Sequence, residues 1–415
     1  MKRAGGAGAR LLLVEESLKD HHGHWFSYAR GVAEWNQAEG VAVEVAAHAD
    51  VDPGLEWSVP VHALFEKSFW DGTYPARRRP RRQRRNILRA NRRAYRELAA
   101  HFAKSPRYDL VFAPTVIVHQ LLAWLALLWR FGGRKIGCAV LLLRFGASEP
   151  HEIPGDPITQ WNARFLARCL RLFRPLIWRG RVRFATDSEA LAREYRELCG
   201  LPMTVLPSPQ RVAPVRAPRA IRAHEPLRLT SLGPATFIKG CDVLLDAIRI
   251  VRADPPGPAI RFVFHWPLPQ ALAHGRDPLS PDEELAASGW VEYVRRTLSA
   301  EEYDDLLTSS DCVILPYRVD PYRLRTSGVL VEAALAGVPA IVTAGTTLEE
   351  GLRAWGAGLV AEDGSARDLA DKIRAFAADA EKHRTRALER IADARAHHSR
   401  ERFLDLLWDR APRQS

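Results

Sequence analysis

The sequence has few of the residues that staple small or metal-bound scaffolds. Five cysteines are scattered through 415 residues, at 138, 169, 199, 241 and 312, with no Cys-x-x-Cys pair. Their spacing matches neither a zinc site nor a disulfide framework. Cys138 and Cys312 lie inside strand-like runs, so buried free thiols in a reducing compartment are expected. Long apolar runs are lacking as well. The longest, LLAWLALLW at 121–129, is about half the length of a membrane-crossing helix. The basic start is followed by an apolar run of only Leu11 to Val14 before two glutamates, so no signal peptide is expected. No internal repeat appears at solenoid periods.

Acidic residues are outnumbered, with 60 Lys and Arg against 49 Asp and Glu and a net charge of +11. Such an excess points to an acidic partner or surface rather than to a fold. Much of it sits in RRRPRRQRRNILRANRR, from Arg77 to Arg93. Three readings stand for this run. It is a solvated basic face, a nucleic-acid site, or a surface for anionic lipid headgroups or an anionic acceptor. No aromatic interleaving or binding module supports the second, so no nucleic acid is expected. LLAWLALLW reads as buried core or as an interfacial face.

What is present is the composition of a folded protein, 47% hydrophobic and 26% charged, in a chain too long for one core. Strand-like and helix-like runs alternate from end to end. RLLLVE, VAVEVAAH, YDLVFAP, KIGCAVLLLRF and RVRFATDS are apolar with little alternation and are separated by helical patterns. That is the signature of a parallel sheet covered on both faces. A segment rich in proline, with Pro202, Pro207, Pro209, Pro214, Pro218 and Pro226, then interrupts before the alternation restarts. The fold class expected is α/β, with two Rossmann-like doubly wound domains facing across a cleft. The first domain spans 1–207, a linker 208–226, and the second domain 227–395. A C-terminal helix is expected over 396–415, with packing back on the first domain as one arrangement open to it. The tail from Ser365 reads as two or three amphipathic helices on the surface.

The segment RTSGVLVEAALAGVPAIV at 325–342 carries the most chemistry. Ser327 is a good N-cap, Gly337 a helix stop, and Pro339 punctuates the turn. The helix follows a strand, so its free amides and dipole make an anion site suited to phosphate. Gly328 lets a ligand approach the backbone. Side chains lean toward a helix N-terminus, so Glu332 can reach something bound there. A carboxylate repels phosphate, and paired hydroxyls such as a ribose diol suit it better. The plain alternative is a solvated glutamate on a surface helix. A second segment, TSLGPATFIKGCDVLLDAI, places Gly233 in a turn and Lys239 at a helix start, where a lysine can neutralise phosphate charge.

LG…KGCDVLLDAI, EEYDDLLTSSDCVILPY and RTSGVLVEAALAGVPAIVT occur in an order and spacing that resemble the C-terminal half of GT-B glycosyltransferases, family 4 or group 1. TDSEALAREY followed by VLPSP is similar to that family's interdomain crossover. The resemblance covers about 185–375 well, and the first 180 residues only in rhythm. It implies a nucleoside diphosphate-sugar donor on the second domain, an acceptor on the first, retention of configuration, and no cofactor or essential metal. By resemblance, Glu332 binds the ribose, Ser327, Gly328 and Val329 meet the diphosphate, and Lys239 is the phosphate lysine. Two positions depart from the family. Leu324 stands where the first Glu of Glu-x7-Glu is expected, and Pro234 where an Arg usually follows Gly233. Arg325 is a candidate replacement for the lost charge.

In the first half, SLKDHHGHWFSYARG follows the first strand. Gly23 and His22 are assigned to an acceptor-side loop and His24, beside the glycine, is the candidate base. The plain reading of loop histidines, including His21, is solvation. With no partner Cys or carboxylate cluster, no metal site is expected. Arg144 occupies the neighbourhood where the family often places a catalytic histidine.

The expected function is transfer of a hexose from a nucleoside diphosphate-sugar to a glycan or lipid-linked acceptor, in bacterial surface polysaccharide or glycolipid synthesis. The expected location is cytoplasmic, peripheral at the inner face of the membrane through Arg77–Arg93. The rivals are an inactive scaffold or glycan-binding copy, motivated by Leu324 and Pro234, and a nucleotide-sugar epimerase on the same fold.

Overall fold

A computed structural model describes residues 8–20, 24–55, 57–68, 80–147, 158–209, 225–255, 258–271 and 277–410, with side chains of 24, 80–84 and 158–162 left aside. The chain divides into two compact units. One is built from residues up to 210 together with those from Ser399 onward, and the other runs through His398.

In the first unit the order is β1 (Arg10–Val14), α1 (His24–Gln37), β2 (Ala42–His48), β3 (Val61–Phe65), α2 (Pro80–Lys104) and β4 (Tyr108–Ala113). Then come α3 (Val118–Phe131), β5 (Ile136–Leu142), α4 (Ile158–Arg171), α5 (Arg174–Trp178), β6 (Val182–Thr186), α6 (Glu189–Cys199) and β7 (Met203–Val205). The strands form one parallel sheet in the order β3-β2-β1-β4-β5-β6-β7.

The second unit opens with β8 (Leu227–Ser231), a single 3₁₀ turn (Phe237–Lys239), α7 (Cys241–Ala253), β9 (Ile260–His265), α8 (Glu283–Ala287), β10 (Val291–Val294) and α9 (Ala300–Thr308). It continues with β11 (Cys312–Leu315), α10 (Val319–Tyr322), α11 (Gly328–Ala336), β12 (Ala340–Thr343), α12 (Thr347–Trp355) and β13 (Gly358–Ala361). Three helices close it, α13 (Ala366–Ala378), α14 (Ala380–Glu389) and α15 (Ile391–His397). Its parallel sheet runs β10-β9-β8-β11-β12-β13. A last helix, α16 (Arg400–Trp408), belongs to the first unit.

Both sheets are doubly wound α/β layers, as the apolar runs and helical spacing predict. In each, strand order reverses beside the first strand, between β1 and β4 and between β8 and β11. Ligand sites in such sheets lie beyond the carboxyl ends of the strands at that reversal.

The tail holds four helices rather than two or three, and the last packs back on the first unit, the arrangement left open by the sequence. Leu369, Ile373 and Phe376 of α13 join the second unit's core. Phe403, Leu404, Leu407 and Trp408 of α16 are buried against the first sheet's helices and strands. The Trp408 indole donates to Asn36 Oδ1 at 2.7 Å, and Arg183 donates to the carbonyl of Leu406 at 2.9 Å and to that of Leu407. Amphipathic spacing marks a buried stripe but not what covers it. LLAWLALLW lies in α3, mostly core, with Leu121, Trp124, Leu127 and Leu128 buried and Trp129 exposed. All five cysteines are free, and Cys138 is half-buried rather than fully so. β3, α12 and β13 were not anticipated, being too short or too mixed in pattern to separate from loops.

Candidate active site

The site residues of the second unit gather at the carboxyl edge where β8 and β11 meet. After β8 the chain turns through Gly233 and the 3₁₀ turn, which ends at Gly240 in a left-handed conformation (φ 67°) before α7 starts. A Cβ on Gly240 would lie 2.0 Å from the carbonyl oxygen of Pro316. Glycine here therefore lets the β8 turn press on the loop after β11, which the Arg318 amide reinforces by donating to Ile238 O at 3.0 Å.

That contact aims Lys239 back over the turn. A Cβ placed on Gly233 would be 2.7 Å from Lys239 Nζ, and Nζ lies 5.7 Å from the ring centre of the buried Tyr317. Burial lowers the Lys239 pKa to about 8, opposed by the charge of Glu332.

β11 ends in a loop that leads to α11. The Ser327 hydroxyl accepts from the Leu330 amide at 3.4 Å, and Gly337 closes the helix in a left-handed conformation. Both caps stand where the sequence places them. The Gly328 and Val329 amides lie in the first turn, where no intrahelical acceptor exists.

Glu332 lies on the first full turn of α11 and is half-buried. Its Oε2 accepts from Tyr303 Oη of α9 at 2.6 Å. Burial raises the Glu332 pKa to about 7, Tyr303 lowers it, Asp304 raises it, and Lys239 lowers it. The carboxylate and the lysine thus feel each other within one site. Arg325 is half-buried on the loop before α11, and its carbonyl accepts from the Thr347 hydroxyl. Leu324 is buried, at 3% exposure, and Pro234 is exposed.

Two members of this site escaped the sequence reading. Tyr303 sits in an acidic helix start, EEYDDLL, where a lone aromatic reads as packing. His265 is the last residue of β9 and is buried. Its Nε2 donates to Arg296 O at 3.1 Å, leaving Nδ1 as an acceptor. Burial lowers its pKa and the Lys239 charge lowers it further. Its place at a strand's carboxyl end was the available signal.

In the first unit, His22 and Gly23 lie outside the described residues, as do His21, Ser148, Glu149 and His151. His24 opens α1, with no description of its side chain. Of the arginine run, residues 77–79 lie outside, and Arg85, Arg89 and Arg92 are exposed on α2. A buried polar group stands instead at the reversal of this sheet. Glu15, 2% exposed, accepts from the Ser17 amide at 3.0 Å. Burial raises its pKa to about 7, opposed in part by Ser17, Thr115 and Arg144. Arg144 donates to Pro114 O at 2.8 Å, lies 3.9 Å from Asp187, and covers the Tyr28 ring at 4.2 Å. Glu15 was passed over because it reads as a strand end. Among the described residues no group of three His, Cys, Asp or Glu side chains has a metal-holding arrangement. No helix there is long and apolar enough to cross a membrane.

Comparison with known proteins bears on both units. Residues 227–379, from β8 through α13, match the family Glycosyl transferases group 1. No curated protein sequence matches the chain. Among solved structures, sucrose-phosphate synthase from Thermosynechococcus elongatus superposes with a TM-score of 0.66 at 16% identity, over 97% of each chain. Anabaena HepE, solved in complex with UDP-glucose, gives 0.61 at 14%, over 96% of this chain and 98% of its own. A UDP-forming α,α-trehalose-phosphate synthase from Burkholderia xenovorans gives 0.64 at 12%, over 96% and 98%. Likeness at these identities establishes the fold, and it extends across nearly the whole length. The chain therefore has the two-Rossmann GT-B fold, and its residues 227–379 match the family Glycosyl transferases group 1.

Proposed function

We propose that the second unit binds a nucleoside diphosphate-sugar and that the protein transfers the sugar to a glycan or lipid-linked acceptor with retention. The observation that carries this reading is the meeting of three features at one strand reversal. These are the open first turn of α11, the Lys239 ammonium, and the Glu332 carboxylate held by Tyr303. The amides of Gly328 and Val329 and Lys239 receive the diphosphate and stabilise it as charge develops on leaving. Glu332 accepts from the ribose hydroxyls. Structural neighbours solved with UDP-glucose or UDP support a uridine donor as the first to try. On the acceptor side, Glu15 and Arg144 at the reversal of the first sheet are the candidates, alongside His24, His22 and Gly23 of the loop after β1.

Thermal shifts with UDP, GDP and ADP on the wild type and on Glu332→Ala test the donor site. Stabilisation by one nucleotide that the variant loses supports the reading, and no shift with any nucleotide removes it. A second reading, binding without turnover, rests on buried Leu324 and exposed Pro234, neither of which supplies a charge. Release of free nucleoside diphosphate from a donor sugar separates the two.

A further inference from the structure

The first unit carries a surface that neither the donor nor the acceptor reading uses. Trp178, the last residue of α5, is 90% exposed, and Trp129 near the end of α3 and Leu172 between α4 and α5 are 54% and 53% exposed. Large side chains seldom stand so far into solvent without a partner. The end of α5 and the end of α3 meet in space, because the Arg179 guanidinium, next in sequence to Trp178, lies 5.3 Å from the Trp129 ring centre, and Leu172 lies in the short connection that leads into α5. Arg130, beside Trp129, reaches α2 by donating to the Tyr95 hydroxyl at 2.9 Å.

The segments that carry these three side chains hold charge of one sign. Residues 118–147 and 158–186 contain eleven Lys and Arg and no Asp or Glu. Arg130, Arg174 and Arg179 are exposed, and none pairs with a carboxylate among the described residues. A solvated surface that only needed solubility would mix the signs.

We propose that this corner, Trp129, Leu172 and Trp178 ringed by Arg130, Arg174 and Arg179, docks on an anionic lipid bilayer. Indole rings favour the headgroup layer, where one edge is apolar and the other wet. The arginines meet lipid phosphates. A second copy of the chain would set arginine against arginine in an isologous contact. A single-stranded nucleic acid would stack on the indoles but leave the aliphatic Leu172 without a use. The surface is distinct from Arg85, Arg89 and Arg92 of α2, and the inference stands apart from the donor site.

The test is sedimentation of the full chain with phosphatidylcholine vesicles, with and without phosphatidylglycerol. Three double variants are compared, Trp129→Ala with Trp178→Ala, Arg174→Gln with Arg179→Gln, and Arg89→Gln with Arg92→Gln. All positions are exposed, and an unchanged melting temperature certifies folding. The wild type should bind only the anionic vesicles. The aromatic variant should lose binding at unchanged charge. The Arg174 and Arg179 variant should lose about five-fold per arginine, the equivalent of about 1 kcal/mol each. Failure of the wild type to bind anionic vesicles overturns the proposal. So does an aromatic variant that binds as the wild type does, a loss confined to the α2 variant, or a preference for a single-stranded oligonucleotide over vesicles.

Discussion

The Tyr303 hydroxyl donates to Glu332 Oε2 at 2.6 Å across 29 residues of sequence, tying α9 to α11 beneath the open helix start. A half-buried carboxylate left alone would drift and resist ionisation. The phenol holds one oxygen in place and favours the charged form, while burial first and Glu332 second push the Tyr303 pKa well up. The second carboxylate oxygen stays available to a ligand hydroxyl.

Tyr303→Phe should therefore weaken both UDP and uridine by about five- to ten-fold at pH 7, the worth of one hydrogen bond to a charged group. It should also move the acid limb of binding to higher pH, because the bond that lowers the Glu332 pKa is gone. Titration calorimetry across pH checks both, and an unmoved limb would mean that Tyr303 only packs.

In the wild type, UDP affinity should peak between about pH 7 and 8. Below about 7 Glu332 gains a proton, and above about 8 Lys239 loses its charge. Each limb should approach about ten-fold per pH unit. A profile flat from pH 6 to 9 contradicts these assignments.

Lys239→Met separates function from stability. Its folded-state pKa is lowered, so this group's stabilising contribution is present above its ordinary 10.5 and lost as pH falls through about 8. At pH 7 the charged lysine costs stability, and the variant should melt higher, by on the order of 1 kcal/mol. UDP should bind about ten- to hundred-fold more weakly, and uridine, which feels the lysine only through the Glu332 charge, should lose far less. Equal losses for UDP and uridine would place the lysine away from the phosphates.

Gly240→Ala should destabilise the second unit by about 2–3 kcal/mol, since the new methyl would meet a backbone carbonyl at 2.0 Å in a left-handed conformation. Urea unfolding reads this directly. A loss of a few tenths of a kcal/mol would show that the β8 turn and the loop after β11 yield easily.

Trp408→Ala should cost the first unit about 3–5 kcal/mol, through lost packing and an Asn36 Oδ1 left without its donor. Trp408→Phe should cost less, about 1–3 kcal/mol, by removing only the indole donor. Near-native denaturant midpoints for both would mean that α16 is dispensable.

How much of this was legible follows from what kind of information each feature needs. Strand–helix alternation, the Ser327 and Gly337 caps and the open start of α11 are local, set by propensity and side-chain hydrogen bonding within a few residues. Sequence by itself determined those, along with the approach of Lys239 and Glu332 to one strand edge, because parallel strands separated by helices all end on the same side. It did not reveal that Tyr303 meets Glu332, that His265 is buried beside the lysine, or that Glu15 is buried at the reversal of the first sheet. Those depend on which elements become neighbours across the sheet. The tail carried the same periodicity whether α16 lay on the surface or in a core. Only tertiary structure decided that it covers the first sheet's helices, because a helical stripe specifies that apolar area must be removed from water but not against which partner.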